Sequence, residues 1–168
     1  MRSILKLAAC LFLGAGLVYG QQPTFHDALL DHMTGSWVLR GTIMGQQNTH
    51  DITGEWALLH QYLRIHEVSR EKNAKGEPDY EASPYIGWDQ AASEYVCIWL
   101  DSYGGMYDAN IAHAKRNGNE IHFIFRSKDG IFHTRMIYHP ESNSWEWVMD
   151  SEEKGGLKPF MRAKLTRK

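Results

Sequence analysis

Between Trp37 and Leu165 apolar and polar residues alternate in short runs, broken by turn residues and without a helical period. The runs fall at Trp37–Met44, Asp51–Leu59, Tyr62–Arg70, Tyr80–Trp88, Glu94–Ser102, Met106–Lys115, Glu120–Ser127, Ile131–His139, Ser144–Asp150 and Leu157–Thr166. The longest polar break between the middle runs is Lys72–Asp79, which holds Gly76 and Pro78. Ahead of the runs, Thr24–Met33 predicts one short helix: Thr24 can cap it, and Phe25, Leu29 and Met33 share a face. Many short strands joined by tight turns predict a mainly β protein. The expectation is an antiparallel up-and-down β-barrel of about ten strands with a short N-terminal helix.

The turns predict a register. Gly104-Gly105, Asn117-Gly118 and Asp129-Gly130 are two-residue hairpin signals, because such turns need positive φ. With these as central residues, Asp101 pairs with Asp108, Trp99 with Asn110, His113 with His122, Phe123 with Met136 and Arg126 with His133. A four-residue turn at Pro140–Asn143 pairs Tyr138 with Trp145 and Met136 with Trp147.

Paired residues share a face, and each strand alternates. One face then collects Cys97, Trp99, Phe123, Phe125, Met136, Tyr138, Trp145, Trp147 and Met149. The other collects His113, His122, Arg126, His133, Arg135, Glu146 and Asp150, with several isoleucines. Burying aromatics is favourable and burying unpaired Arg and His is costly, so the aromatic face is expected inside. Trp99, Phe123, Phe125, Met136, Tyr138 and Trp147 are therefore candidate ligand-contact residues, and Cys97 is expected to be a buried, inert thiol.

The first twenty residues change the picture of where this barrel works. Arg2 and Lys6 precede a twelve-residue apolar run, Leu7–Val18, and Val18-Tyr19-Gly20 offers a cleavage site. Residues 1–20 read as a signal peptide and 21–168 as the barrel domain. The mature chain would carry 16 basic and 20 acidic residues, a formal charge of −4, which argues against nucleic acid and anionic membranes as partners. It would keep one cysteine, Cys97, and so no internal disulfide. The expected location is periplasmic or extracellular, with no stable membrane insertion after cleavage. A homodimer stays open.

Strong catalytic motifs are absent: no zincin spacing, no Gly-x-Ser-x-Gly, no Cys-x-x-Cys, no P-loop. His113 facing His122 lacks a third ligand, so no metal site is expected. Asp101 and Asp108 stand out. They flank one turn, face each other and share the aromatic side, where two close carboxylates would raise one pKa. Asn110 lies one pleat deeper.

Gly35-Ser36-Trp37 opens the first strand just after the helix. That resembles the Gly-x-Trp start of the calycin superfamily, in which the Trp closes one barrel end beneath a late Arg. The resemblance implies a place for Trp37 in the closed end and for Arg162, or failing it Arg167, above the indole. Trp88-Asp89 and Asp101-Ser102 with Gly104 are similar to lipocalin-like bacterial proteins of unknown function in that superfamily. The long Gly-x-Trp-x-Gly run of haem-binding nitrobindin is not reproduced, and no histidine follows His139. No cofactor is expected, and haem is a minor reading.

The leading expectation is an exported barrel that binds a small apolar or amphipathic molecule through Trp37, Asp101, Asp108, Asn110 and the aromatic face. Two alternatives stay open: an isomerase- or cyclase-like enzyme using Asp101 and Asp108 at the barrel mouth, and a packed barrel acting as an interaction module. Binding is favoured over catalysis.

Overall fold

Twelve strand segments form the wall in a computed structural model that describes residues 24–104, 110–128 and 130–168. The segment read as a signal peptide lies outside these residues. The strands are β1 (Gly35–Ile43), β2 (Gln46–Ala57), β3 (Tyr62–Ser69), β4 (Glu81–Ala82), β5 (Tyr85–Asp89) and β6 (Glu94–Ile98), then β7 (Ile111–Ala114), β8 (Arg116–Asn117), β9 (Glu120–Ser127), β10 (Gly130–His139), β11 (Ser144–Glu153) and β12 (Gly156–Arg167). Both β4 and β5 pair with β3, so they are one wall strand, broken where Pro84 has no N–H to give the ladder. Both β7 and β8 pair with β9 and form another. Neighbours along the chain are neighbours in the wall, and β12 returns to β1. The result is a closed antiparallel barrel of ten strands.

The aromatic face points inward. Phe123, Trp145 and Trp147 are fully buried, and Met136 and Tyr138 are nearly so. Three of the expected pairs form: Tyr138–Trp145 and Met136–Trp147 in the β10–β11 ladder, and Trp99–Asn110, where the Trp99 N–H donates to Asn110 O at 2.8 Å. Two hairpins differ. The first turns at Gly118-Asn119, so His113 pairs with Ile124. The second turns one residue earlier than expected, so Phe123 pairs with Thr134 and Arg126 with Ile131. Moving a turn by one residue moves the pairing by two, which keeps every side chain on its face.

One end of the barrel is plugged. Helix α1 spans only Ala28–Asp31, because Asp27 rather than Thr24 caps it: its carboxylate accepts from Leu29 N at 2.8 Å and Leu30 N at 3.0 Å. Phe25 leaves the helix to pack among Trp56, Trp88 and Tyr95. Leu29, Leu30 and Met33 enter the barrel. Gly54 lets them in, since a Cβ there would lie 2.2 Å from Met33 O. The buried Trp37 indole donates to that same carbonyl at 2.8 Å.

The arginine above Trp37 is Arg167, with Cζ 4.0 Å from the ring centroid. Its guanidinium also donates to His32 O, at 3.1 Å, and to Thr34 O. Arg162 is elsewhere. It points outward, donates to Met149 O at 2.9 Å and pairs with Asp150. Asp150, expected on the outer face with His133, does pair with it but is buried. A β-bulge at Met149/Asp150 and the guanidiniums of Arg162 and Arg135 enclose it.

Candidate functional site

Beyond the packed half, the interior opens into a cavity of about 640 Å³ at the end opposite α1. Its two walls differ. Phe125, Phe132, Met149, Phe160 and Met161, from β9 to β12, make an apolar side. Phe132 and Phe160 meet edge to face, with centroids 5.1 Å apart. The other side carries His50 from β2, Glu67 and Ser69 from β3, Tyr80 from the approach to β4, and Asp101 and Asn110 beyond β6.

The polar side is built around a buried pair. His50 Nδ1 lies 2.5 Å from Glu67 Oε1, with only 2% and 3% of the two side chains exposed. Strand parity puts them there. His50 follows the inward set of Ile52 and Gly54, and Glu67 follows Leu63 and Ile65, each one pleat past the last apolar residue. Burying such groups is tolerable only if they are paired, and they pair with each other. With Nδ1 engaged by Glu67, His50 Nε2 is left without a protein partner among the described residues, and His50 lines the cavity.

Tyr80 stands beside them, its ring centroid 6.0 Å from that of His50. Burial, followed by the nearby Glu67 and then Asp101 carboxylates, pushes its phenol well above the usual range, although the Trp99 hydrogen bond opposes this. Tyr80 therefore keeps its proton. Its oxygen accepts from the Trp99 indole at 3.1 Å, leaving the O–H to donate. Trp99 in turn meets Phe125 edge to face, with centroids 6.2 Å apart, and its carbonyl accepts from the Asn110 amide at 2.7 Å. Indole, phenol, carboxylate and imidazole thus share one wall, which can hold a polar head while the facing wall holds an apolar body.

The sequence candidates separate by depth. Trp99, Asp101, Asn110 and Phe125 line the cavity. Trp37, Phe123, Met136, Tyr138 and Trp147 are buried in the packed core, with Trp147 6.4 Å from the Trp99 ring at their border. Asp101 sits at the mouth, where its carboxylate accepts the Tyr103 N–H at 3.0 Å. Its expected partner, Asp108, lies outside the described residues. His50, Glu67 and Tyr80 were not among the candidates. The signal for the first two was parity: His50 alternates with Ile52 and Trp56, and Glu67 with Leu63 and Ile65.

The outer histidines make other contacts. His113 meets Glu94 at 2.8 Å, and His122 meets His133 at 2.9 Å. Burial, and then the neighbouring His133, lowers the His122 pKa. Among the described residues no cluster of three or more His, Cys, Asp or Glu side chains could hold a metal ion. Cys97 is fully buried, and burial alone pushes its thiol far above the range in which it would react.

A closed ten-stranded antiparallel barrel with one short helix fits a calycin- or lipocalin-like fold. No protein-family model matches the chain, and no curated protein matches it either.

Proposed function

We propose that this protein is an exported barrel, periplasmic or extracellular, that binds a small, largely apolar molecule in the open half of its interior. One observation carries the reading: a cavity of about 640 Å³ with an apolar wall facing a wall of few, convergent polar groups. Ligand pockets have this size and composition. A barrel filled to both ends would favour the interaction-module reading, and here filling stops at Trp99 and Phe125. The charged start and apolar run of residues 1–20 support export.

Native mass spectrometry of protein purified from its own host tests binding. A co-purifying mass of small-molecule size is expected, and Met149→Trp, which grows a ring into the cavity, should remove it. Retention of that mass by Met149→Trp at full occupancy would place the ligand outside the cavity.

A second reading gains support from His50 and Glu67: an acid–base enzyme acting on the bound molecule. A carboxylate that holds Nδ1–H fixes the tautomer in which Nε2 is the acceptor, and Tyr80 supplies a neutral donor nearby. These groups replace the Asp101 and Asp108 pair as the favoured acid–base candidates. Turnover of a bound carbonyl compound that disappears in His50→Gln, with binding retained, would distinguish enzyme from carrier.

A further inference from the structure

Charge sorts the ligands that this cavity accepts. Among the described residues none of its lining side chains is Lys or Arg. Three lining residues are acidic: Glu67, buried, and Asp79 and Asp101 toward the mouth. Among the described lining residues His50 is the one able to carry a positive charge, and it is bound to Glu67. Among the described residues the lining thus sets three carboxyl groups against one imidazole.

Within the binding reading above, on which this rests, we infer that the cavity selects an organic cation with an apolar tail, an ammonium amphiphile, over a fatty carboxylate. The apolar wall of Phe125, Phe132, Phe160 and Met161 takes the tail. The head meets Glu67 and Asp101 together with the faces of Tyr80 and Trp99. Aromatic faces beside carboxylates suit an ammonium ion, which is drawn to the π-electron density as well as to the opposite charge. A carboxylate head would face three acidic side chains, and beside the buried Glu67 such repulsion is screened less than in open water. Among the described residues no guanidinium or ammonium lines the cavity to receive it.

Decyltrimethylammonium, decanoate and 1-decanol share a tail and differ in head. Their affinities are measured at pH 7 by calorimetry below any micellar concentration, with displacement of Nile red as a second readout. Decyltrimethylammonium is expected to bind at least tenfold more tightly than decanoate and more tightly than decanol. Glu67→Gln and Asp101→Asn should each narrow the cation-to-carboxylate ratio at least threefold. Asp101 lies at the mouth, so its variant keeps the test alive if Glu67→Gln does not fold. Decanoate binding as tightly as the cation, equal binding of cation and alcohol, or a ratio unmoved in Asp101→Asn would overturn the inference while leaving the carrier reading intact. Exclusion of all three compounds and of Nile red would strike the carrier reading itself.

Discussion

Phe123 and Phe125 are two residues apart on β9 and point the same way, yet they meet different surroundings. Phe123 is 1% exposed within the packed core; Phe125 is 8% exposed and lines the cavity. Truncating each to Ala removes the same atoms. For Phe123 the loss includes contacts on every side and a new enclosed void, so the full range of about 3–5 kcal/mol applies. For Phe125 one face of the ring already borders open space. The void merges with the cavity and fewer contacts vanish, so about half that cost, ~1.5–2.5 kcal/mol, is expected. At about 3 °C per kcal/mol for a domain of this size, Phe123→Ala should melt about 10–15 °C lower and Phe125→Ala about 5–8 °C lower. Urea unfolding with an unchanged slope would confirm that the native fold is the state compared. Equal losses, or a larger loss for Phe125→Ala, would refute the division of the interior into a packed and an open half.

Three further substitutions probe the frame around that division. Gly54→Ala places a methyl group against Met33 O and should cost about 2–3 kcal/mol as α1 is pushed outward, seen as a lower urea midpoint and stronger quenching of Trp37 fluorescence. Arg162→Ala leaves Asp150 buried with Arg135 alone; because Arg162 is itself partly exposed, about 1–3 kcal/mol is expected in the same unfolding assay. Hydrogen bonds from Arg70 and then Lys168 hold the Asp51 carboxyl far below its usual range. A depressed folded-state pKa stabilises the fold above the unfolded value of about 3.9 and is lost as pH falls toward the folded one. The melting-temperature gap between wild type and Asp51→Asn should therefore be small, as befits a surface group, and should narrow as pH drops from 5 to 2. A gap that widens in acid would contradict the assigned contacts.

Much of the wall was legible because side-chain alternation is insensitive to the commonest error. Misplacing the Asn117–Asn119 turn by one residue moved His113 from His122 to Ile124 but left both strands facing as expected. Parity would also have preferred Arg167 over Arg162, since 167 continues the inward series of Met161, Ala163 and Leu165 and pairs with Trp37. Depth was not legible. Alternation says that Phe123 and Phe125 both point in, but not that filling ends between them; that depends on how far Leu29, Leu30 and Met33 reach down the barrel. The polar wall was missed for a related reason. His50 and Glu67 lie 17 residues apart in sequence, and although parity points each inward, nothing local marks them as a buried pair until the β2–β3 ladder brings them together. Asp150 escaped because its burial depends on a bulge and on two arginines from neighbouring strands.

Arg167 grips the carbonyls of His32 and Thr34, and the Lys168 N–H donates to Ser36 O. The start and finish of the described chain therefore emerge side by side at the plugged end. The hairpin turns at Met44-Gly45 and next to Ser127 and Gly130 ring the other end. A fusion joined directly at Thr24 or at Lys168 therefore starts from the plugged end, away from the cavity entrance. Adjacent termini also make the barrel suited to circular permutation, with new ends opened at Met44-Gly45 to place a tag directly over the mouth.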